Sequence, residues 1–225
     1  MLNRVDSFFD FFALDNSDRL LGQRLASEAA ARANGMTHQK DYEALAAVCF
    51  YRKPQLIFEI GTYLGVTSDF FLQLLPECRI VSIAYVNRKW NILRKKLNNS
   101  GLSKKQIGSS VHQSRRSRFT QLIGNSHKLR ANDLSENYGH FDLVFIDGDH
   151  SYEGVLQDTE LVRKIIGECG VICWHDANPK QKYMDVRLFL EKELSFQAIA
   201  TRDDYIGGIA CWSDIIQNRI KGTKI

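Results

Sequence analysis

The sequence predicts an α/β protein built on a doubly wound, mostly parallel β-sheet. Beyond residue 54, short apolar runs alternate with longer amphipathic stretches, as expected for strands joined by right-handed helical crossovers. Polar residues follow several of these runs, at the sheet edge where such folds bind ligands. The length of 225 residues suits one sizeable domain, and 44% hydrophobic and 25% charged residues are ordinary for a globular protein.

The apolar runs place the elements in order. Strands are predicted at residues 55–60, 79–86, 119–125, 141–147, 170–176, 196–201 and 207–212, with the last two closing the sheet as a pair. Helices are predicted over 67–75, 88–99, 159–168 and 185–194, and Pro76 and Gly101 act as stop signals for the first two.

The N-terminal part has a different pattern. Residues 18–50 are rich in Ala and Leu, and their spacing predicts two helices broken near Asn34–Gly35, the second of which ends before Pro54. We therefore expect a helical extension over residues 1–52, as a lid or as the contact of a homodimer, followed by the α/β domain over residues 53–225.

Composition favours a cytoplasmic protein that does not bind membranes. No apolar run approaches the roughly 18 residues of a membrane span. The first 15 residues carry Asp6, Asp10 and Asp15, whereas the apolar region of a secretory signal lacks such charges. The five cysteines form no CxxC pair, which is typical of reduced, buried thiols.

Charge is unevenly distributed along the chain. From Cys78 to Asn132 there is no Asp or Glu, while Arg and Lys occur 13 times. Such a block is a candidate for binding an anionic substrate or a nucleic acid. The alternative is an ordinary solvated helix and loop, and basic clusters alone do not distinguish the two.

The first predicted strand of the domain runs into a glycine-containing loop. In Glu59–Ser68, Gly61 and Gly65 let the backbone turn sharply and approach a ligand. The next helix is expected to begin near Thr67 or Ser68, where free amides favour a carboxylate or phosphate. The alternative is a purely structural tight turn.

Two further strand ends carry chemically active side chains. Asp147, Asp149, His150 and Glu153 follow one strand, and His175-Asp176 follows the next, so the sheet should bring the two groups together. They fit a divalent metal site, in which an imidazole shifts the preference from Mg²⁺ towards Mn²⁺, Fe²⁺ or Zn²⁺. They also fit a general base at Asp147, His150 or His175, or a set of structural turn caps.

Three segments together resemble a known family. EIGTYLGVTS resembles motif I of class I S-adenosylmethionine-dependent methyltransferases, in the form found in catechol-O-methyltransferase-like and family-24 domains. FDLVFIDGDHSYEG and GVICWHD are similar to the family-24 strand ends, and the resemblance covers roughly residues 55–212. It implies a Rossmann-like, seven-stranded sheet with an antiparallel last strand, and S-adenosylmethionine as cofactor.

The resemblance also implies roles for individual residues. Those expected around the cofactor are Glu59, Gly61, Thr62, Tyr63, Gly65, Thr67, Ser68, Asn125, Ser126 and Asp147. The catalytic candidates are Asp147, His150 and His175, and the candidate ligands of a Mg²⁺ or Mn²⁺ ion are Asp147, His175 and Asp176. The chain departs from the family at Ala84, where class I enzymes usually carry an acid that binds the ribose hydroxyls.

These observations lead to three functional hypotheses. The first is a methyltransferase that acts on an oxygen of a small-molecule or sugar-like substrate, with or without a divalent metal. The second is a catalytically silent methyltransferase-like module whose basic segment, residues 79–130, binds RNA or an acidic partner. The third is a metal-dependent enzyme that performs other chemistry on the same fold, such as hydroxylation.

Overall fold

A single eight-stranded sheet organises the protein in the computed structural model, which describes residues 2–85, 103–178, 184–195, 197–202 and 205–222. The strands are β1 (Asn3–Val5), β2 (Leu56–Ile60), β3 (Arg79–Ala84), β4 (Phe119–Ile123), β5 (Phe141–Ile146), β6 (Ile166–Trp174), β7 (Ile199–Thr201) and β8 (Ala210–Trp212). Their order is β1-β7-β8-β6-β5-β2-β3-β4, and β8 runs antiparallel to both of its neighbours.

The predicted doubly wound, mostly parallel sheet is confirmed, and one edge strand is added to it. All seven predicted strands are present within a few residues of their expected positions, and the last is antiparallel as the resemblance implies. β1 pairs in parallel with β7 and was not predicted. Its three residues, Asn-Arg-Val, are too few and too polar to give a strand pattern.

Eight α-helices surround this sheet in the described residues. They are α1 (Phe8–Phe11), α2 (Asn16–Ala33), α3 (Gln39–Arg52), α4 (Val66–Leu74), α5 (Ala131–Tyr138), α6 (Tyr152–Val162), α7 (Met184–Glu193) and α8 (Asp214–Gly222). The predicted break between α2 and α3 is confirmed, because Asn34 adopts a left-handed conformation with φ 52° at the end of α2.

One helix prediction is corrected by the structure, and another falls outside the described residues. The helix predicted over 159–168 was placed too far along the chain, because Ser151 caps α6 by accepting a hydrogen bond from the Gly154 amide and so starts the helix at Tyr152. Residues 166–168 belong to β6 instead. The helix predicted over 88–99 lies outside the described residues.

Helices cover both faces of the sheet, which gives two hydrophobic cores. One core packs α1, α2, α3, α4 and α8 against one face, and the other packs α5, α6 and α7 against the opposite face. The inner strands are buried on both sides, and all five residues of β2 are buried. Four of the five free cysteines are buried as predicted, while Cys169 is exposed. No described helix has the combination of length and apolarity needed to cross a membrane.

Candidate active site

The candidate site lies at the carboxyl edge of β2, β5 and β6. Backbone hydrogen bonds continue past the strand ends: the Asp147 amide donates to the Ile60 carbonyl at 2.8 Å, and the His175 amide donates to the Ile146 carbonyl at 3.0 Å. These bonds fix the residues just after β5 and β6 beside the loop that follows β2. The polar strand ends predicted to meet therefore do meet.

Asp147, His150, His175 and Asp176 form one polar cluster. His175 Nδ1 lies 3.3 Å from Asp147 Oδ1 and 3.2 Å from Asp176 Oδ1. His150 Nε2 lies 2.9 Å from Asp176 Oδ2 and 3.5 Å from Asp147 Oδ1. One ligand atom each from Asp147, His175 and Asp176 fits within a mutual distance of 4.8 Å. This spacing is suitable for a single divalent cation.

The charges of the cluster stabilise one another. Burial opposes charge on His150, but hydrogen bonds from its ring to Asp147 and Asp176 raise the pKa of this histidine to about 9. Burial likewise opposes charge on His175, yet the attraction of Asp147 raises its pKa well above the usual range. Burial acts to raise the pKa values of Asp147 and Asp176, but the two imidazoles hold both below their ordinary value. The carboxylates thus favour the protonated form of the imidazoles, and the imidazoles favour the ionised form of the carboxylates.

Asp176 is held in a backbone conformation that non-glycine residues rarely adopt. Its φ is 61°, in the left-handed region, and its side chain is buried. Such strain costs on the order of 1–3 kcal/mol and persists where the surroundings over-determine it, often at functional sites. Here it turns the Asp176 carboxylate back towards His150 and His175.

Asp41 joins the cluster from α3 and was not predicted. It is fully buried, and its Oδ2 lies 3.2 Å from His175 Nε2, on the side of the ring away from Asp147 and Asp176. The two residues are 134 positions apart in the chain. The spacing of Asp41 in a helical stretch gave no sign of this contact.

The loop after β2 has the sharp turns predicted for a ligand-binding segment. Gly61 has φ 108°, and a Cβ atom there would lie 2.0 Å from the Asp147 carbonyl oxygen. Only glycine therefore fits against the end of the neighbouring strand β5. Gly65 has φ 84° and is the N-cap of α4. The expected helix start at Thr67 or Ser68 was wrong by one to two residues, because Gly65 already provides the turn. Because glycine has no side chain, Gly65 makes no side-chain hydrogen bond to the first amides of α4.

Glu59 is buried beneath this loop in a row of polar side chains. Its Oε2 accepts hydrogen bonds from the Ser68 hydroxyl and, at 2.5 Å, from the Ser82 hydroxyl of β3. Within the described part of the chain, its Oε1 has no hydrogen-bond partner. Burial raises the pKa of Glu59 to about 7, against the lowering effect of the two hydroxyls. Thr62 extends the row by a 2.6 Å contact with Ser82.

The other residues expected around the cofactor lie near the same edge. Tyr63 is half exposed in a left-handed conformation, and the Thr67 hydroxyl lies 3.3 Å from that of Tyr42. Asn125 caps a short 3₁₀-helix by accepting from the His127 amide, and Ser126 beside it is buried.

The other two residues of the acidic stretch, Asp149 and Glu153, have structural roles. The Asp149 carboxylate accepts a hydrogen bond from the Ser151 amide at 2.9 Å, at the start of α6. Glu153 Oε1 accepts from the Gln157 side chain one helical turn further on. At the end of β3, Ala84 is buried and the next side chain, Tyr85, is exposed.

Fold and site together define a class of protein. A doubly wound sheet with an antiparallel strand, a glycine loop after β2 and carboxylates after β5 and β6 is the arrangement implied by the class I methyltransferase resemblance. Residues 58–177, just over half of the chain, match the family described as a methyltransferase domain. The chain therefore belongs to this family, and the predicted membership of the class I S-adenosylmethionine-dependent methyltransferases is confirmed.

Solved structures with this fold include several methyltransferases. The SAH-bound methyltransferase PaMTH1 of Podospora anserina has 15% identity, covers 89% of each chain and gives a TM-score of 0.52. The calicheamicin methyltransferase CalS11 has 16% identity over 89% of this chain and 94% of its own, with a TM-score of 0.50. MycE of the mycinamycin biosynthetic pathway, in complex with Mg and SAH, has 17% identity over 84% of this chain and 53% of its own, with a TM-score of 0.52. No curated protein matches the sequence significantly.

Proposed function

We propose that the protein is an S-adenosylmethionine-dependent methyltransferase that acts on a hydroxyl oxygen of a small molecule, with a divalent cation held by Asp147, His175 and Asp176. The observation that carries this proposal is the position of the polar cluster directly against the glycine loop. The Asp147 carbonyl is the atom that a Cβ on Gly61 would meet. A cofactor on the loop and a substrate at the cluster would thus be neighbours.

The residues around the loop fit the cofactor. S-adenosylmethionine, when bound, supplies a methyl group on a positively charged sulfonium. The free Oε1 of Glu59, buried within the described residues, suits the ammonium group of its methionine part. The uncapped amides of Val66 and Thr67 at the start of α4 suit its carboxylate.

The cluster fits a divalent cation. When bound, such an ion is a Lewis acid that lowers the pKa of a coordinated hydroxyl and orients it. Two carboxylates and one imidazole make a donor set that Mn²⁺ accepts more readily than Mg²⁺. In the structure, the rings of His150 and His175 lie within 2.9 Å and 3.3 Å of these carboxylates, in the place that a cation would share.

His150 is the predicted catalytic residue best placed to contact a substrate. It is about one-third exposed, whereas His175 is buried. Its pKa of about 9 means that Nε2 carries a proton at neutral pH and does not accept another from a hydroxyl. Base catalysis by His150 therefore requires that the negative charge of the cluster first be compensated. This requirement favours the metal-assisted hypothesis over the metal-free one.

Calorimetry with S-adenosylmethionine and S-adenosylhomocysteine tests the cofactor assignment. We expect binding of both in the micromolar to millimolar range, as the missing acid at Ala84 costs about 1.5–3 kcal/mol of a charge-assisted hydrogen bond. Absence of binding at millimolar ligand would overturn the proposal. Salt-sensitive RNA binding without cofactor binding would then favour the silent binding module.

Metal titration tests the second part of the proposal. Asp147→Asn and Asp176→Asn should each weaken Mn²⁺ binding at least tenfold, because each removes the charge of one of the three proposed protein ligands. Asp149→Asn is the matched control, since the Asp149 carboxylate accepts a hydrogen bond from the Ser151 amide instead. Equal Mn²⁺ affinity in all three variants would reject this site. Mn²⁺ binding without methyl transfer to any hydroxyl compound would favour other metal-dependent chemistry.

A further inference from the structure

We infer that Asp41 is a positioning residue. It fixes the ring of His175 so that Nδ1, and not Nε2, faces Asp147 and Asp176 of the proposed metal site. The inference rests on the proposed function, because it assigns a role in the metal site of that function. It adds a residue that lies outside the family match over residues 58–177.

Asp41 is surrounded by hydrogen-bond donors on both carboxylate oxygens. Oδ1 accepts from the Tyr205 hydroxyl at 2.9 Å and from the Gly208 amide at 2.8 Å. Oδ2 accepts from the His38 amide at 3.1 Å and lies 3.2 Å from His175 Nε2. Each carboxylate oxygen thus has two polar neighbours, and Tyr205, Gly208 and His38 all donate to it.

This environment determines the state of the His175 ring. Since Asp41 is the acceptor, His175 Nε2 must be the donor and must carry a proton. Nδ1, which faces Asp147 and Asp176, is then the nitrogen that would bind a cation, and it would release its proton on binding. Histidines that bind metals usually donate their other N–H to a carboxylate or carbonyl in this way, which sets the tautomer and the ring orientation.

Helix capping does not account for the whole environment of Asp41. Its bond from the His38 amide belongs to the capping box of α3, but the contacts with Tyr205, Gly208 and His175 do not. The loop before β8 also makes room for it: a Cβ on Gly207 would lie 2.6 Å from Asp41 Oδ2. Two distant parts of the chain, the loop over residues 205–208 and His175, thus converge on one buried carboxylate of α3.

Mn²⁺ calorimetry on the full chain tests the inference. Asp41→Asn should weaken Mn²⁺ binding about 10–100-fold, the usual cost of losing an outer-shell partner. S-adenosylhomocysteine affinity should not change, because Asp41 is absent from the loop of residues 59–68. Tyr205→Phe is the matched control: it removes one donor to Asp41 but leaves the His175 contact, so Mn²⁺ affinity should stay within about twofold. Equal Mn²⁺ affinity in Asp41→Asn and wild type, or no Mn²⁺ binding by wild type, would overturn the inference.

A measurement on the unaltered protein covers the case in which Asp41→Asn fails to fold. In wild-type protein labelled with ¹⁵N-histidine, the His175 signals, assigned with a His175→Gln variant, should show Nε2 protonated and Nδ1 shifted by Zn²⁺. A shift of Nε2, or of neither nitrogen, contradicts the inference. If the proposed function is wrong, wild-type protein should not bind S-adenosylhomocysteine. That result is separate from the measurements on His175.

Discussion

Glu59 and the carboxylates of the cluster lie in different chemical surroundings. Asp147 and Asp176 face imidazoles, which carry a compensating charge, so their pKa values are lowered despite burial. Glu59 faces the hydroxyls of Ser68 and Ser82, which carry none, and burial raises its pKa to about 7. The free Oε1 of Glu59 is therefore the position where a cationic group from a ligand would gain most.

Glu59→Gln should change the pH dependence of stability. A carboxyl whose folded pKa is raised from 4.5 to about 7 binds its proton more tightly when folded, so the free energy of unfolding falls as pH rises between these values. The variant lacks this loss, and its stability relative to wild type should increase by about 2–3 kcal/mol between pH 4.5 and pH 8. Urea denaturation of cofactor-free protein at both pH values measures this.

The exposed carboxyl of Glu136 provides the control for this experiment. Glu136→Gln should show the same stability relative to wild type at both pH values. A pH-independent difference between Glu59→Gln and wild type would show that Glu59 titrates normally in the folded protein.

At the scale of elements, arginines of the basic block hold α4 in place. In the 3₁₀-helix Gln113–Arg118, Arg115 pairs with the buried Asp69 of α4 at 2.8 Å. Arg118 donates to the carbonyls of Leu72 and Leu75 at the C-terminal end of α4, where helix carbonyls lack partners, and to that of Cys78 just before β3. Arg115 and Arg118 thus stabilise the fold. The sequence had instead made the basic block a candidate for binding an anionic ligand.

Arg115→Ala should destabilise the protein by about 2 kcal/mol, because it leaves the carboxylate of Asp69 buried with fewer donors. Arg32 and the His112 amide still contact Asp69, so the loss should be partial. Arg130→Ala is the control, since Arg130 pairs with Asp133 on the surface, and it should leave the unfolding midpoint in urea unchanged. Equal midpoints for both variants would contradict this role of Arg115.

At the scale of the whole molecule, sequence patterns predicted the features that depend on residues close to one another in the chain. Strand–helix alternation and the polar strand ends located the sheet, the loop at Gly61 and the cluster at Asp147 and His175. Asp41 could not be found in this way, because its contact with His175 arises only when α3 packs beside β6. β1 was missed for the same reason, since three residues form a strand there only because β7 pairs with them.

The N-terminal segment is also held in place by contacts between residues that are far apart in the chain. Side chains of α2 and α3, including Leu25, Tyr42 and Leu45, are buried in the same core as α4 and β5. From β1, Arg4 donates to the carbonyl of Thr201 in β7 and to that of Ala177, which directly follows Asp176 of the polar cluster. These contacts favour a structural role for residues 1–52 over that of a detachable lid.

Deletion of residues 1–52 should therefore prevent folding rather than open the site. It would expose a large apolar face of the sheet and of α4, and burial of a single large apolar side chain is worth about 1.5–3 kcal/mol. We expect the 53–225 fragment to lack a cooperative thermal transition by circular dichroism. Deletion of residues 1–6 removes β1 alone and should give a folded protein with a lower Tm. A monomeric 53–225 fragment that unfolds cooperatively would instead support a lid, and an intact fragment that no longer dimerises would support a dimer contact.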